Sequence, residues 1–417
     1  MYINRTIEQT IKKAAKGFKV VLITGPRQVG KSTTLQYLFK DKYNYVTLDD
    51  INQLNIALED PKLFFLNNPL PIIIDEVQYA PNLFREIKRI VDESDLRGQV
   101  ILSGSQAFHL MDGVTESLAG RVAILEMSGF SLREYHNDTY YLPFIPNKDY
   151  FLENRIVEKD FDIWEIIHRG SLPMLYTNEY LDWHIYYSSY VKTYIERDVR
   201  NIINIRDLNN FSNFLISLAA RTGSLLNYNQ VANEINIDIN TVKSWTKVLE
   251  ATGIIILVRP FKNNALKRMV KTPMVYFLDT GLVSYLLKWN TKDTLRNGAM
   301  SGHILESFAV SEIVKSFKNA GYLDVPITFY RDYNQKEIDL IIEANGILYP
   351  IEIKKTTNPT KNMAKNFNAL ENIPGFRVGE KIILSLVDRT YQLSDGLYAF
   401  PIKNIWEFNL LRLNKSS

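Results

Sequence analysis

Short apolar runs separated by amphipathic stretches organise the first third of the chain. Val20-Val21-Leu22-Ile23, Pro71-Ile72-Ile73-Ile74 and Gln99-Val100-Ile101-Leu102 are too brief for helices and too uniformly apolar for surface strands. Runs of this kind predict strands buried on both faces, as in a parallel sheet. Tyr43 to Leu48 reads as another strand, stopped by Asp49-Asp50, and Val122-Ala123-Ile124-Leu125 is a further apolar run. Between them, Thr6 to Lys16 places Ile7, Ile11, Ala14 and Ala15 at helical spacing, and Leu83 to Val91 forms an amphipathic stretch after Pro81. Alternation of the two periods predicts an α/β fold with a parallel, three-layer sheet.

The pattern changes after Tyr135. Asn137-Asp138 and Leu142-Pro143-Phe144-Ile145-Pro146-Asn147 break any periodicity, which places a first unit at 1–136. A helical connector is expected over 137–204, where Trp183 to Asn204 interleaves Ile185, Tyr186, Tyr190, Tyr194 and Ile195 with Lys192, Glu196, Arg197 and Arg200. An aromatic stripe at this spacing packs helices, leaving the charged face to touch the first unit. Over 205–265, Asn227 to Ile235 and Asp238 to Leu249 read as two short helices with a tight turn, the second capped at Asn240 and ended by Gly253. Ile254 to Pro260 follows as a hairpin arm, which predicts a winged helix-turn-helix. The rest, 266–417, contains Ile338 to Glu343 and Ile347 to Lys354 joined by Asn345-Gly346, a hairpin.

Onto this frame the sequence places phosphate chemistry. Gly25-Pro26-Arg27-Gln28-Val29-Gly30-Lys31-Ser32 lies between the first strand and the stretch Thr33 to Leu38, the context of a P-loop. Its backbone amides, with Thr33 opening the helix, would cradle phosphates of ATP; Lys31 would reach the β- and γ-phosphates and Ser32 would ligate Mg²⁺. Asp75 and Glu76 end the second buried strand, positioned to hold the metal and to act as general base. Ser103 or Ser105 stands beside the same crevice, suited to sensing the γ-phosphate or orienting water. Arg121 is either a finger toward transition-state charge, from its own chain or a neighbour's, or a surface ion pair.

In the C-terminal hairpin, Asp339 and Glu352 share a face and can converge on one cation, with Lys354 two residues on and Glu306 a third carboxylate. On the winged unit, Asn240, Thr241, Lys243, Ser244 and Lys247 form the face that such helices lay against DNA. Lys262, Lys267, Arg268 and Lys271 would add phosphate contacts, although winged helices also dock proteins.

The segments 25–32, Ile74-Asp75-Glu76-Val77-Gln78, Leu102-Ser103-Gly104-Ser105 and Leu118-Ala119-Gly120-Arg121 resemble the AAA-type ATPase domain of a large prokaryotic family of signal-transduction type. Tyr194 to Val199 and Arg331 to Lys355 extend the resemblance over nearly the whole chain. It implies an ATPase followed by helices, a winged helix and a restriction-endonuclease-like domain, with Arg121 matching the motif that supplies the finger. Asp339 with Glu352 and Lys354 is similar to the core of restriction endonucleases and Holliday-junction resolvases.

Composition narrows the setting. The 417 residues exceed what a single core usually supports. Without cysteine there are no disulfides, thiolate metal sites or thiol nucleophiles. The start of the chain has no apolar signal region and no run is long enough to span a membrane, so a cytoplasmic location is expected. A net charge of +3 with a pI of about 8.6 is too mild to mark a nucleic-acid binder in bulk, so any basic surface is local. Expected partners are ATP with Mg²⁺, DNA, a protein on the winged helix and a second copy of the chain. Two functions remain open: an ATP hydrolase that controls a DNA-binding or DNA-cleaving C-terminal half, and a slow ATP-dependent switch or scaffold carrying a silent nuclease fold.

Overall fold

The computed structural model describes residues 2–105, 117–137, 142–147, 161–195, 208–262, 270–371 and 373–405. Asp138, Glu196, Arg197, Val199, Arg200, Asn204, Lys267 and Arg268, named above, lie outside them.

The N-terminal sheet has five parallel strands: β1 (Val20–Thr24), β2 (Asn44–Thr47), β3 (Ile72–Asp75), β4 (Val100–Ser103) and β5 (Val122–Glu126). They lie in the order β2-β3-β4-β1-β5. The three inner strands are buried at every position, whereas edge strand β5 alternates buried and half-buried. Uniform apolar sequence therefore marks the interior of the sheet and weaker patterning its edges. Helix Glu8–Gly17 buries Ile11, and helix Leu83–Asp92 buries Leu83, Phe84, Ile87 and Val91. Asp50 caps helix Ile51–Glu59 by accepting from the Asn52 amide.

Helix Leu208–Ala219, β6 (Ser224–Leu225), helices Tyr228–Ile235 and Ile239–Ala251, then β7 (Ile255–Pro260) and β8 (Met274–Phe277) make the next unit. Here β8 pairs antiparallel with both β6 and β7. The partner of the expected hairpin arm is thus β8, so this unit continues past the expected boundary at 265. The cap of the second helix is Asp238, which accepts from the Asn240 amide at 2.7 Å, and Asn240 is the second helical residue instead.

Beyond it lie β9 (Ile327–Arg331), β10 (Glu337–Ala344), β11 (Ile347–Lys354), β12 (Arg377–Val378), β13 (Lys381–Ser385), β14 (Tyr391–Ser394) and β15 (Leu397–Pro401). Asn345 and Gly346, both with positive φ, turn β10 into β11. Strand β9 pairs in parallel with β7, which fuses the two C-terminal units into one sheet, β14-β15-β13-β11-β10-β9-β7-β8-β6. One apolar cluster runs from Ile7 and Val29 through Tyr187, Phe214 and Phe308 to Ile405. The units pack as a continuous body, and helix Ser301–Asn319 is its spine, with buried residues on nearly every turn.

Candidate functional site

Parallel pairing brings the carboxyl ends of β1, β3 and β4 to one edge of the N-terminal sheet, and with them most of the expected phosphate chemistry. After β1 the chain turns at Gly25, with φ 133°; a Cβ there would sit 2.1 Å from the Met127 carbonyl oxygen. Gly30, with φ 92°, opens helix Lys31–Phe39, so the loop amides face a helix N-terminus. The Lys31 ammonium is buried and donates to the carbonyls of Gly25 at 2.9 Å and Pro26 at 2.8 Å. Ser32 is half-buried and Thr33 exposed at the start of the same helix.

Asp75 is 5 % exposed and both its oxygens are occupied: Oδ1 accepts from the Ser103 hydroxyl and Oδ2 from the Tyr45 phenol at 2.8 Å. Glu76 has a left-handed backbone, φ 55° and ψ 41°, uncommon for a residue with a side chain and characteristic of sites the surroundings over-determine. Its Oε2 accepts from the Ser105 hydroxyl at 3.3 Å and from the Gln78 amide. Ser103 and Ser105 thus hold the two acids.

Arg121 does not join this edge. It precedes β5, and its carbonyl accepts from the Val20 amide at the start of β1, so it stands at the opposite end of the strands from the P-loop. Strand length alone separates it from the chain's own phosphate cradle by roughly 15 Å. Its guanidinium forks onto Asp92, Nε to Oδ1 at 2.6 Å and Nη2 to Oδ2 at 2.9 Å. A finger acting within its own chain is excluded by this placement; the ion pair is what the structure forms.

Several contacts around the P-loop had no signal in the sequence. Arg5, 4 % exposed, donates to the Val29 carbonyl at 2.5 Å, to Ser128 O at 2.7 Å and to Glu134 at 3.0 Å, tying the P-loop to the N-terminal segment. The Tyr194 hydroxyl accepts from the Arg27 amide at 3.2 Å, and the Tyr186 hydroxyl donates to Gln28 at 2.6 Å. The aromatic face of the connector therefore meets the P-loop, while Glu196, Arg197 and Arg200 of its charged face lie outside the described residues. From the other side Gly253, with φ 71°, abuts the Pro26 ring; a Cβ would lie 3.0 Å from Cγ. A cavity of about 340 Å³ opens beside the loop between Tyr2, Ile3, Gln28, Thr33, Thr34 and Met174, within the size range of small-molecule sites.

A second polar group gathers on the C-terminal hairpin. Leu340 pairs with Ile351, which sets Asp339 across from Glu352 one step further along. Lys354 donates to Glu352 Oε1 at 2.7 Å and Asp339 Oδ2 at 3.2 Å, and the Ile353 amide also donates to Asp339 Oδ2. Glu352 Oε2 is buried with no partner. Burial, then the facing Asp339, pushes the Glu352 carboxyl up to about 8. Glu306, on helix Ser301–Asn319, accepts from the Tyr276 hydroxyl of β8 at 2.6 Å; burial and Asp339 raise it well above the usual range. The expected metal set of Glu306, Asp339 and Glu352 is not assembled: among the described residues no group of three or more acids and histidines is arranged to hold a metal. The Lys354 ammonium stands between Asp339 and Glu352, where a cation would.

On helix Ile239–Ala251, Asn240, Lys243 and Lys247 are exposed, Thr241 and Ser244 half-buried; Lys262 and Lys271 are exposed nearby. No described helix is long and apolar enough to cross a membrane.

Residues 17–136 match the model of an AAA domain, while 160–293 and 301–405 match two domains of unknown function. The N-terminal unit is accordingly similar to AAA domains. An uncharacterized protein of Mycobacterium tuberculosis is 27 % identical over 399 residues, 95 % of this chain and 82 % of that protein. An uncharacterized protein of Methanocaldococcus jannaschii is 22 % identical over 434 residues, 98 % of this chain and 91 % of that one. Among solved structures, a Walker-type ATPase of Pyrococcus abyssi aligns with TM-score 0.40 at 14 % identity, covering 69 % of this chain and 96 % of that one. RuvB of Thermotoga maritima aligns with TM-score 0.29 at 13 % identity, covering 62 % and 90 %.

Proposed function

We propose that the protein hydrolyses ATP with Mg²⁺ at the edge formed by β1, β3 and β4, and that the nucleotide state controls its C-terminal half. The observation that carries this is the convergence of Lys31 and Ser32 with Asp75 and Glu76 on one sheet edge; the cavity beside the P-loop is lined by Gln28, Gly30, Thr33 and Thr34 and not by the two acids. The donor set fits the metal, because Ser32 and Asp75 offer two hard oxygens and Mg²⁺ in such sites takes the rest from phosphate and water. Bound Mg²⁺ would supply positive charge to the phosphate oxygens. The Lys31 ammonium leaves the Gly25 and Pro26 carbonyls for the phosphates; Glu76 accepts the proton of the attacking water while Ser105 steadies its carboxylate. Arg121, held by Asp92 at the far end of the strands, could act as a finger only in a neighbouring copy's site.

Coupling runs through two contacts on the P-loop. Phosphates need the loop amides, and one of these, Arg27 N, donates to Tyr194 of the connector. Pro26 rests on Gly253, the turn between helix Ile239–Ala251 and β7. A change at the loop is therefore felt by the unit we read as a winged helix, whose order helix-strand-helix-helix-strand-strand supports that assignment. Its exposed Asn240, Lys243 and Lys247 suit a DNA backbone.

For the nuclease-like hairpin, the geometry favours a binding surface over a cutting one, since Lys354 fills the space between Asp339 and Glu352. Cleavage is a second reading, favoured by the partnerless Glu352 Oε2. Turnover assays on Glu76→Gln decide the main claim: binding of ATP persists and hydrolysis falls roughly 10²–10⁴-fold, while unchanged turnover removes Glu76 from its role. Incubation of wild type and Asp339→Ala with duplex and branched DNA plus Mn²⁺ decides the second. Neither cuts on the first reading, and cutting by wild type alone establishes the other.

A further inference from the structure

Strand β2 lies at the edge beside β3, with Thr47 paired to Asp75 and Tyr45 to Ile73. Side chains two residues apart on a strand share a face, so the Tyr45 ring reaches along the same face as Asp75. Its hydroxyl donates to Asp75 Oδ2 at 2.8 Å. The Gln36 and Ser32 side chains are turned toward the same phenol oxygen. The phenol thus faces both a strand carboxylate and the P-loop serine. Ser103 holds the other Asp75 oxygen, which leaves the carboxylate no free rotation.

We propose that Tyr45 is a positioning residue for the divalent cation of the bound nucleotide, fixing Asp75 relative to Ser32 without itself ligating the metal. The inference rests on the ATPase assignment. It follows from the hydroxyl's place rather than from the ring: without it, a buried carboxylate oxygen loses its donor and Asp75 can turn away from the serine. Partners that orient ligating carboxylates typically change metal affinity 10–100-fold when removed.

The test uses the full chain and Tyr45→Phe, which keeps the ring. ATP binding is measured by calorimetry with EDTA and again across a Mg²⁺ titration. The expected result is metal-free ATP affinity within about twofold of wild type and a Mg²⁺ midpoint raised about 10-fold or more. An unchanged midpoint overturns the proposal. Loss of the metal-free binding also overturns it, since Tyr45 would then support the P-loop alone. A cycle with Asp75→Asn gives a second criterion: if Tyr45 acts through Asp75, adding Tyr45→Phe to that variant shifts the midpoint no further, and additive shifts refute the route. Absence of ATP binding by the wild-type chain is the distinct result that sinks the ATPase assignment itself.

Discussion

Glu352→Gln is the substitution whose consequence follows most directly from the structure. The Glu352 side chain is 8 % exposed, one oxygen has no partner, and Lys354 reaches only the other. Burial first, and Asp339 second, lift its carboxyl from 4.5 to about 8. Between those values the folded chain keeps a proton that the unfolded chain has released, so stability falls as pH rises through this window and levels off above about 8. At about 1.4 kcal/mol per unit, the portion lost between pH 6 and pH 8 is on the order of 3 kcal/mol. Glutamine removes the ionisation while its amide oxygen still accepts from Lys354. Amide hydrogen exchange of β10 and β11, compared between the two proteins at the same pH, reads local stability without requiring all-or-none unfolding. Protection in Glu352→Gln should exceed wild type by about 3 kcal/mol more at pH 9 than at pH 6. A difference that does not change with pH, or one that shrinks as pH rises, refutes the reasoning.

Three further outcomes are expected. Arg121→Ala should leave the thermal midpoint unchanged but lower turnover, and mixing it with Lys31→Ala chains, which retain Arg121, should restore activity; no restoration leaves Arg121 with its Asp92 pair alone. Gly253→Ala should cost about 1–2 kcal/mol for its left-handed backbone and, by pressing on Pro26, weaken ATP binding; an unaltered affinity breaks the coupling through that contact. DNA retention on filters should weaken steeply with salt, and Lys243→Ala with Lys247→Ala should flatten the dependence by about one unit of slope per lost phosphate contact; a slope near zero in wild type removes DNA as a partner.

The candidate phosphate site was legible as a cluster of strand ends because its parts are local. A buried strand followed by glycines, or by two acids, carries its meaning within eight residues, and the parallel rule then gathers the strand ends. The same rule places Arg121, just before β5, at the far edge of the sheet, a consequence available from strand direction but not from the motif. The contacts of Tyr45, Arg5 and Tyr194 gave no signal because they depend on partners far along the chain: Asp75, Val29 and Arg27. The connector's aromatic stripe read as packing, and it does pack, yet two of its hydroxyls end on the P-loop. Asn240 and Asp238 are both good caps, and only the position of the preceding turn, with Asn236 left-handed, selects Asp238. On the C-terminal hairpin the alternation correctly put Asp339, Glu352 and Lys354 on one face, but whether a lysine completes or displaces a cation is a matter of ångströms, which spacing does not encode.

Titration of ATP with Mg²⁺ into the wild-type chain and into Lys31→Ala, followed by calorimetry, tests the central claim most directly. Saturable heat at one site per chain in the wild type, lost in Lys31→Ala, is the result that the cradle of Gly25 to Thr33 requires. Equal heats from the two proteins, or none from the wild type, contradict it.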